Sequence, residues 1–452
     1  MKTAPRQDHE RGTGAHGEVH LSQVLASSLP PGKRSIDLFG GSSPVRYELS
    51  DSELVRTIER RGRKRDRQES MILEVPSPVL AAPDALWDFT ELRRDTAPDW
   101  SIGSKPVRLV DMFSGMGAMS LGVAQACKAL GHRCNFKAAF EIERSPLETY
   151  KANFAVEHAV NEDLSRLFEV DVDKRLQTSE KFWRNSLGDI DIVVAGPPCQ
   201  GHSNLNNVTR RRDPKNELYI LVARVAKVLR PRFIIVENVI TVRNDKSKVM
   251  QRTREALEKR YWVDDGLVNL WRLGVPQTRR RHVLLAIRKD QAVRYVEDIV
   301  SAFEVRPRPL DWAIGDLPFA SKEYLHTPNS AKPETQRRIE YLFEHDEYDL
   351  PDEERPPCHR TKKHSYQSVY GRLKWGELAP TITGGFDTMG RGRFIHPEYK
   401  RTLTPREALR LQTIPDYFDP SALVGSRRTL IETIGNAVPP LLSFVMALEL
   451  LR

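Results

Sequence analysis

From Val107 onward, short apolar runs alternate with amphipathic stretches, and this alternation restricts the chain more than any other feature. The runs are Val107 to Met112, Ala138 to Phe140, Ile190 to Ala195, Phe233 to Val236 and His282 to Ile287, with helix-like stretches at Ala118 to Leu130 and Leu218 to Leu229. Strands that are apolar on both faces belong inside a sheet covered on both sides, and strands alternating with helices give a largely parallel sheet. The expected fold is therefore a Rossmann-like α/β sheet, whose ligands gather at the carboxyl ends of its strands.

The rhythm is absent from residues 1–105, where Pro30-Pro31-Gly32, Gly40-Gly41-Ser42-Ser43-Pro44 and Pro76-Ser77-Pro78 interrupt every periodic stretch. This part reads as a basic N-terminal extension with short elements. Its run Glu53 to Gln68, rich in arginine, is expected to be a solvated helix end or a linker rather than a DNA-contacting arm. The alternation spans 106–288 and lapses again over 289–395, a stretch rich in Pro, Arg, His and aromatic residues that is expected to form a smaller separate region. Residues 396–452 return to helix-forming sequence at Pro405 to Leu411 and Leu441 to Leu451.

Composition narrows the class. Lys+Arg 70 against Asp+Glu 61 leaves a net charge of +9, which suits a polyanionic partner without requiring one. No apolar run approaches the 18 or so residues of a membrane span, and the start has no secretory core, so a soluble cytoplasmic chain without a membrane partner is expected. The four cysteines form no Cys-x-x-Cys pair, and Cys358-His359 with His364 lacks a second pair of ligands, so neither disulfides nor a metal are expected.

Chemistry concentrates at the ends of the apolar runs. The first empties into Phe113-Ser114-Gly115-Met116-Gly117, a glycine turn opening a helix, and the second ends at Glu141, where an acid can accept from ribose hydroxyls. This combination suits a nucleoside-containing cofactor. Ile190 to Ala195 runs into Gly196-Pro197-Pro198-Cys199, a stiff turn presenting a nucleophilic thiol, followed by Arg210-Arg211-Arg212, cations suited to a phosphate backbone. Phe233 to Val236 delivers Glu237-Asn238, and Gln277-Thr278-Arg279-Arg280-Arg281 precedes the strand from His282.

These segments, followed in order by Arg401 to Gln412 and Gly435-Asn436-Ala437-Val438-Pro439-Pro440, resemble the C5-cytosine DNA methyltransferase family of prokaryotic type from about Val107 to the C-terminus. The resemblance implies a methyltransferase sheet at 106–288, a target-recognition region at 289–395 and a C-terminal return to the catalytic domain at 396–452. It implies S-adenosyl-L-methionine as cofactor, with Phe113, Gly115, Gly117, Glu141, Ile142, Asp163, Leu164, Leu218 and Asn436 at its binding positions. It also implies Cys199 as nucleophile, with Glu237, Arg279 and Arg281 around the target base. Thr413-Ile414 stands where the family frequently has Gly-Phe.

The implied reaction adds the Cys199 thiolate to C6 of a flipped-out cytosine in a specific double-stranded DNA sequence, activating C5 for methylation. Glu237 would act at the N3 edge, and Arg279 and Arg281 at O2 or in holding Glu237. Such an enzyme is expected to work as a monomer in the prokaryotic cytoplasm, nucleoid-associated when bound to DNA; whether a restriction endonuclease acting separately accompanies it is not written in the sequence. Two other readings share the motifs: a C5-cytosine methyltransferase for RNA, which the absence of any Cys-Phe-Thr element disfavours, and an inactive DNA-binding regulator, which an intact Cys199 and Glu237 disfavour. A hydride-transfer enzyme would leave Pro-Pro-Cys and the arginines without purpose.

Overall fold

The computed structural model describes residues 34–35, 43–49, 53–62, 66–72, 83–198, 214–244, 247–319, 323–360 and 370–452. Seven strands form the central sheet: β5 (Pro106–Met112), β6 (Arg133–Phe140), β7 (His158–Val160), β8 (Ile192–Ala195), β9 (Phe233–Asn238), β10 (Tyr261–Asn269) and β11 (Arg280–Arg288). Their order is β10-β11-β9-β8-β5-β6-β7. All pairs from β9 to β7 are parallel, whereas β11 runs against both its neighbours. Every residue of β8 and β9 is buried, which is why these strands read as unbroken apolar runs.

One apolar layer, containing Leu109, Ile235 and Leu285, lies under the helices Ala118–Ala129 and Pro440–Leu451. The other, containing Val110, Val236 and Leu284, lies under the helix Leu221–Leu229. The helix Pro440–Leu451 buries Leu442, Val445, Met446 and Leu448, each contributing about 1.5–3 kcal/mol, against Ala118–Ala129. Here Gly122 permits the approach: a Cβ on it would lie 2.1 Å from the Pro440 carbonyl oxygen and 2.3 Å from Ser443 Oγ. By length and composition alone Arg427–Leu451 could cross a membrane, its most apolar 18 residues having a mean hydropathy of 1.6, but 67% of those residues are buried inside the protein. Its apolar character serves the core.

The extension departs from expectation. The described residues of Glu53 to Gln68, which leave out 63–65, form no helix: β3 (Glu53–Ile58) and β4 (Arg67–Ile72) pair antiparallel in a four-stranded sheet with β1 (Arg34–Ser35) and β2 (Val45–Leu49). Leu54, Arg56 and Ile58 alternate onto one face and are buried. Arg56 tolerates burial because its cross-strand partner is Glu69, 2.5 Å away, and its guanidinium lies 4.3 Å from the Trp87 ring centre. Val45, Ile58 and Leu92, the last on the helix Pro83–Leu92, join the same apolar cluster as Leu109.

Residues 289–395 divide. The helices Val296–Ala302 and Leu310–Ile314 pack into the main cluster, whereas Ile339, Leu342, Leu350, Tyr370, Met389 and Ile395 make a small core of their own.

Candidate active site at the carboxyl edge of the sheet

β5, β8 and β9 are adjacent and parallel, so the residues that follow them meet at one edge. After β5, Phe113 takes φ 57 and Gly115 φ 53, and Gly117 at φ 92 caps the helix Ala118–Ala129. A Cβ on Gly117 would collide with Phe154 and Tyr150, at 2.5 and 2.7 Å, while space in front of Gly115 is open. Beneath the turn, Ser120 Oγ donates to Asp111 at 2.6 Å and lies 2.8 Å from the Tyr150 hydroxyl. Burial pushes the Asp111 carboxyl up to about 8, with Ser120 opposing and the Glu141 charge adding to the rise.

Glu141 follows β6 and accepts from Gly115 N at 2.7 Å and Glu143 N at 2.9 Å. Burial holds its carboxyl above the ordinary value, the two backbone donors opposing that rise. Asn161 Nδ2 donates to the carbonyls of Glu141 and Ile142, at 3.0 and 2.8 Å, presenting the 61% exposed Ile142 side chain beside the turn. Asp163 caps the short helix Leu164–Leu167, accepting from Ser165 N at 2.8 Å, and Leu164 is buried beneath it. Leu218 packs against the same apolar layer as Phe113. Asn436 is exposed at the end of the helix Arg427–Asn436, just before Pro440 meets Gly122. Among the described residues Ser114 Oγ is buried without a hydrogen-bond partner. A glycine turn with open space, an orphaned hydroxyl, a carboxylate and an exposed apolar side chain suit a nucleoside carrying a polar tail.

Cys199, His202 and Arg210 to Arg212 lie outside the described residues. The turn that leads to them is anchored: Gly196 N donates to Met112 O at 3.3 Å and Asn238 Nδ2 to Pro197 O at 3.2 Å. Sequence reasoning passed over Asn238, although its place beside Glu237 at a strand end was the available signal.

Glu237 is 7% exposed. It faces Val283 in the β9–β11 register, which puts Arg281, two residues from Val283, on the same side; Arg281 Nε lies 2.7 Å from Glu237 Oε1. The contact is an ion pair that fixes the carboxylate on the Arg281 side. Arg279 Nη1 donates to Ile382 O at 3.0 Å and lies 3.4 Å from Gly435 O. The neighbouring Gln277, wholly buried, donates to Leu411 O at 2.6 Å and Gln412 Oε1 at 3.0 Å and accepts from Ile382 N at 2.9 Å. Gln412 passes the connection to Ile434 O at 2.8 Å. These amides tie the arginine segment to the stretch carrying Asn436, a role for which the sequence around Gln277 carries no signal. Among the described residues no group of three His, Cys, Asp or Glu side chains is arranged to hold a metal ion.

The sheet, parallel from β9 to β7 with β11 running against both its neighbours, is of the Rossmann-like type. The fold is shared with the crystal structure of a putative DNA modification methyltransferase encoded within an E. coli prophage, at TM-score 0.53 and 23% identity, covering 76% of this chain and 99% of that one. The S. pombe Dnmt2 methyltransferase gives TM-score 0.53 at 16% identity over 76% and 96% of the two chains. Residues 107–452 match the family model for C-5 cytosine-specific DNA methylase. The chain is 38% identical over 408 residues to Type II methyltransferase M1.BsuMI of Bacillus subtilis, covering 90% of this chain and 95% of that protein. It is 27% identical to Type II methyltransferase M1.HphI of Haemophilus parahaemolyticus, over 76% and 86% of the two lengths. The chain belongs to the C-5 cytosine-specific DNA methylase family.

Proposed function

We propose that this chain methylates C5 of cytosine within a specific double-stranded DNA sequence, through a covalent bond from Cys199 to C6 of a flipped-out base. The observation that carries this reading is the single edge where the glycine turn, the Pro197-Pro198 turn and the Glu237–Arg281 pair converge. S-adenosyl-L-methionine, when bound, supplies an electrophilic methyl group. Phe113, Ser114, Gly115 and Gly117 would cradle it, Glu141 would accept from its ribose and Ile142 would cover its base, with Asp163, Leu164, Leu218 and Asn436 completing the rim.

Cytosine C5 is a poor nucleophile while the ring is aromatic. Addition of the Cys199 thiolate at C6 breaks the C5–C6 double bond and moves its electrons onto C5, which then attacks. Glu237 supports that addition by giving a proton to N3 at the edge of the base. Arg281 holds the Glu237 carboxylate in place, and Arg279 positions the segment from which Arg281 projects. Loss of the C5 proton then re-forms the double bond and expels Cys199. Stacking hides C5 and C6 in a duplex, so the base must leave the helix, at a cost of a few kcal/mol offset by phosphate contacts for which Arg210 to Arg212 are the candidates. Within residues 289–395, the part beyond Asp316 reads the flanking bases, its Arg, His and aromatic content suiting base edges. A separate endonuclease sharing that recognition sequence is the partner this reading expects.

A duplex with fluorine at cytosine C5 tests the chemistry, because fluorine cannot leave as a proton. The protein should form a denaturation-resistant adduct with it in the presence of cofactor, and Cys199→Ala should not. An adduct that survives in Cys199→Ala refutes the assignment.

A further inference from the structure

Arg280 opens β11 at the catalytic edge, one residue before Arg281. Successive residues of a strand point to opposite faces, so Arg281 turns towards Glu237 while Arg280 turns, with Leu284, to the face covered by the helix Leu221–Leu229. The Arg280 side chain is exposed, and among the described residues it forms no ion pair and donates to no carbonyl. The arginines around it are engaged. Arg279 is bonded to Ile382 O and Arg281 is paired with Glu237, while Arg254 lies 2.5 Å from Asp265 and Arg252 lies 2.9 Å from Glu217.

Two more cations stand at the same edge and on the same face. β9 ends at Asn238, opposite His282, and the chain continues into the short helix Ile240–Asn244, which packs against β11. This turn buries Val242 in the layer under Leu221–Leu229 and leaves Arg243 exposed. The helix Val249–Glu258 then runs back along the sheet, burying Val249 and Leu257 in that layer, with Lys248 exposed directly ahead of it. Among the described residues neither Arg243 nor Lys248 forms an ion pair, and the first turn of the helix holds no acid. Asp265, on which Arg243 acts at longer range, is already taken by Arg254 and by His282 Nε2 at 3.0 Å. Lys248 holds a left-handed φ of 53 at the amino end of a helix, where the dipole repels a cation, so its charge does not serve the fold.

We propose that Arg243, Lys248 and Arg280 form a phosphate-binding strip that holds the DNA backbone beside the catalytic edge while Arg281 and Glu237 face the base. This rests on the reading of double-stranded DNA as the substrate. Three exposed cations drawn from three elements along one edge suit the repeated charge of a nucleic-acid backbone rather than a single small anion. Such contacts carry no sequence information; they fix the duplex and supply free energy that offsets the extrusion of a base.

The test is the salt dependence of binding to mixed-sequence duplexes, for the full chain and for Arg280→Gln, Arg243→Gln and Lys248→Gln. Each variant should make the slope of log affinity against log salt shallower by about 0.9. Each should also weaken binding about three- to tenfold at about 0.1 M salt, by the same factor on duplexes of unrelated sequence. Arg280→Lys keeps a point charge and should keep the parent slope. Cofactor affinity and the thermal midpoint should stay as in the parent. An unchanged slope in any of the three glutamine variants overturns the strip. So does a loss confined to one duplex, which marks base reading, or a parallel fall of cofactor affinity and thermal midpoint, which marks a structural role. The substrate reading fails separately, if the full chain transfers no labelled methyl group to genomic DNA, whatever the slopes are.

Discussion

Thr413 has φ +58, a conformation that a β-branched residue adopts only under strain, and among the described residues its buried hydroxyl has no hydrogen-bond partner. The frequent glycine of the resemblance at this position now has a physical reason. Thr413→Gly removes a left-handed penalty of about 1–2 kcal/mol and an orphaned hydroxyl, against a gain of backbone entropy in the unfolded chain that costs about 1 kcal/mol. A net stabilisation of about 1 kcal/mol is expected, read as a higher midpoint in denaturant unfolding; a lower midpoint refutes the strain argument. Asp111 gives a second expectation at this scale. With its carboxyl raised to about 8 in the fold and near 3.9 when unfolded, the native state holds the extra proton between those values. Its contribution to stability is full below the lower value, falls by about 1.4 kcal/mol per pH unit as pH rises across the window, and is lost above about 8. The stability difference between the parent and Asp111→Asn should therefore shrink and then turn against the parent as pH rises towards 8. A difference independent of pH would show that Asp111 is charged in the fold.

Among the elements, the helix Leu221–Leu229 carries the buried cation Arg224, whose guanidinium bonds Glu180 through Nε and Nη2, each at 2.6 Å. The same group donates to the carbonyls of Lys174 at 2.8 Å, Arg175 at 3.0 Å, and Asp171 and Val172 at 3.1 Å, so one side chain shapes the loop ahead of the helix Thr178–Leu187. Arg224→Met leaves Glu180 buried without its cation and should cost about 3–5 kcal/mol. Adding Glu180→Leu should return much of that loss, because a well-packed apolar pair replaces an ion pair at little cost. If the double variant is no more stable than the single one, the carbonyl contacts rather than the ion pair dominate. Elements of this kind differ in how plainly sequence announces them. β8 and β9 are apolar on both faces and were legible at once, as was the helix after Gly117. β3 was not, because an inward arginine looks solvated until its cross-strand acid is known, and Glu69 becomes that partner only through the register. The same holds in the site. The motif placed Glu237 and Arg281 in one reaction, yet only the β9–β11 register pairs them and sends Arg279 to Ile382.

At the scale of the molecule, the extension and the sheet share one core. A chain starting near Pro106 would be expected to retain activity if residues 1–105 were a mere appendage. It would instead expose the surface that Val45, Ile58 and Leu92 cover and leave Arg308 buried beside no acid, since Asp84 and Asp88 would be gone. Loss of soluble, cooperatively folding protein is therefore expected on truncation at Pro106, measured by circular dichroism and gel filtration. A folded, active fragment would show that the shared cluster is dispensable.

The packing of Pro440–Leu451 on Ala118–Ala129 has a consequence in time. Ser443 Oγ donates to Met119 O at 2.8 Å across 324 residues of sequence. During synthesis, the helix that the glycine turn opens waits with one face bare until nearly all the intervening chain has left the ribosome. The nascent polypeptide can assemble much of its sheet, but it lacks the cover that braces the glycine turn. The turn at Gly115 and Gly117 is thus among the last parts of the sheet edge to be braced.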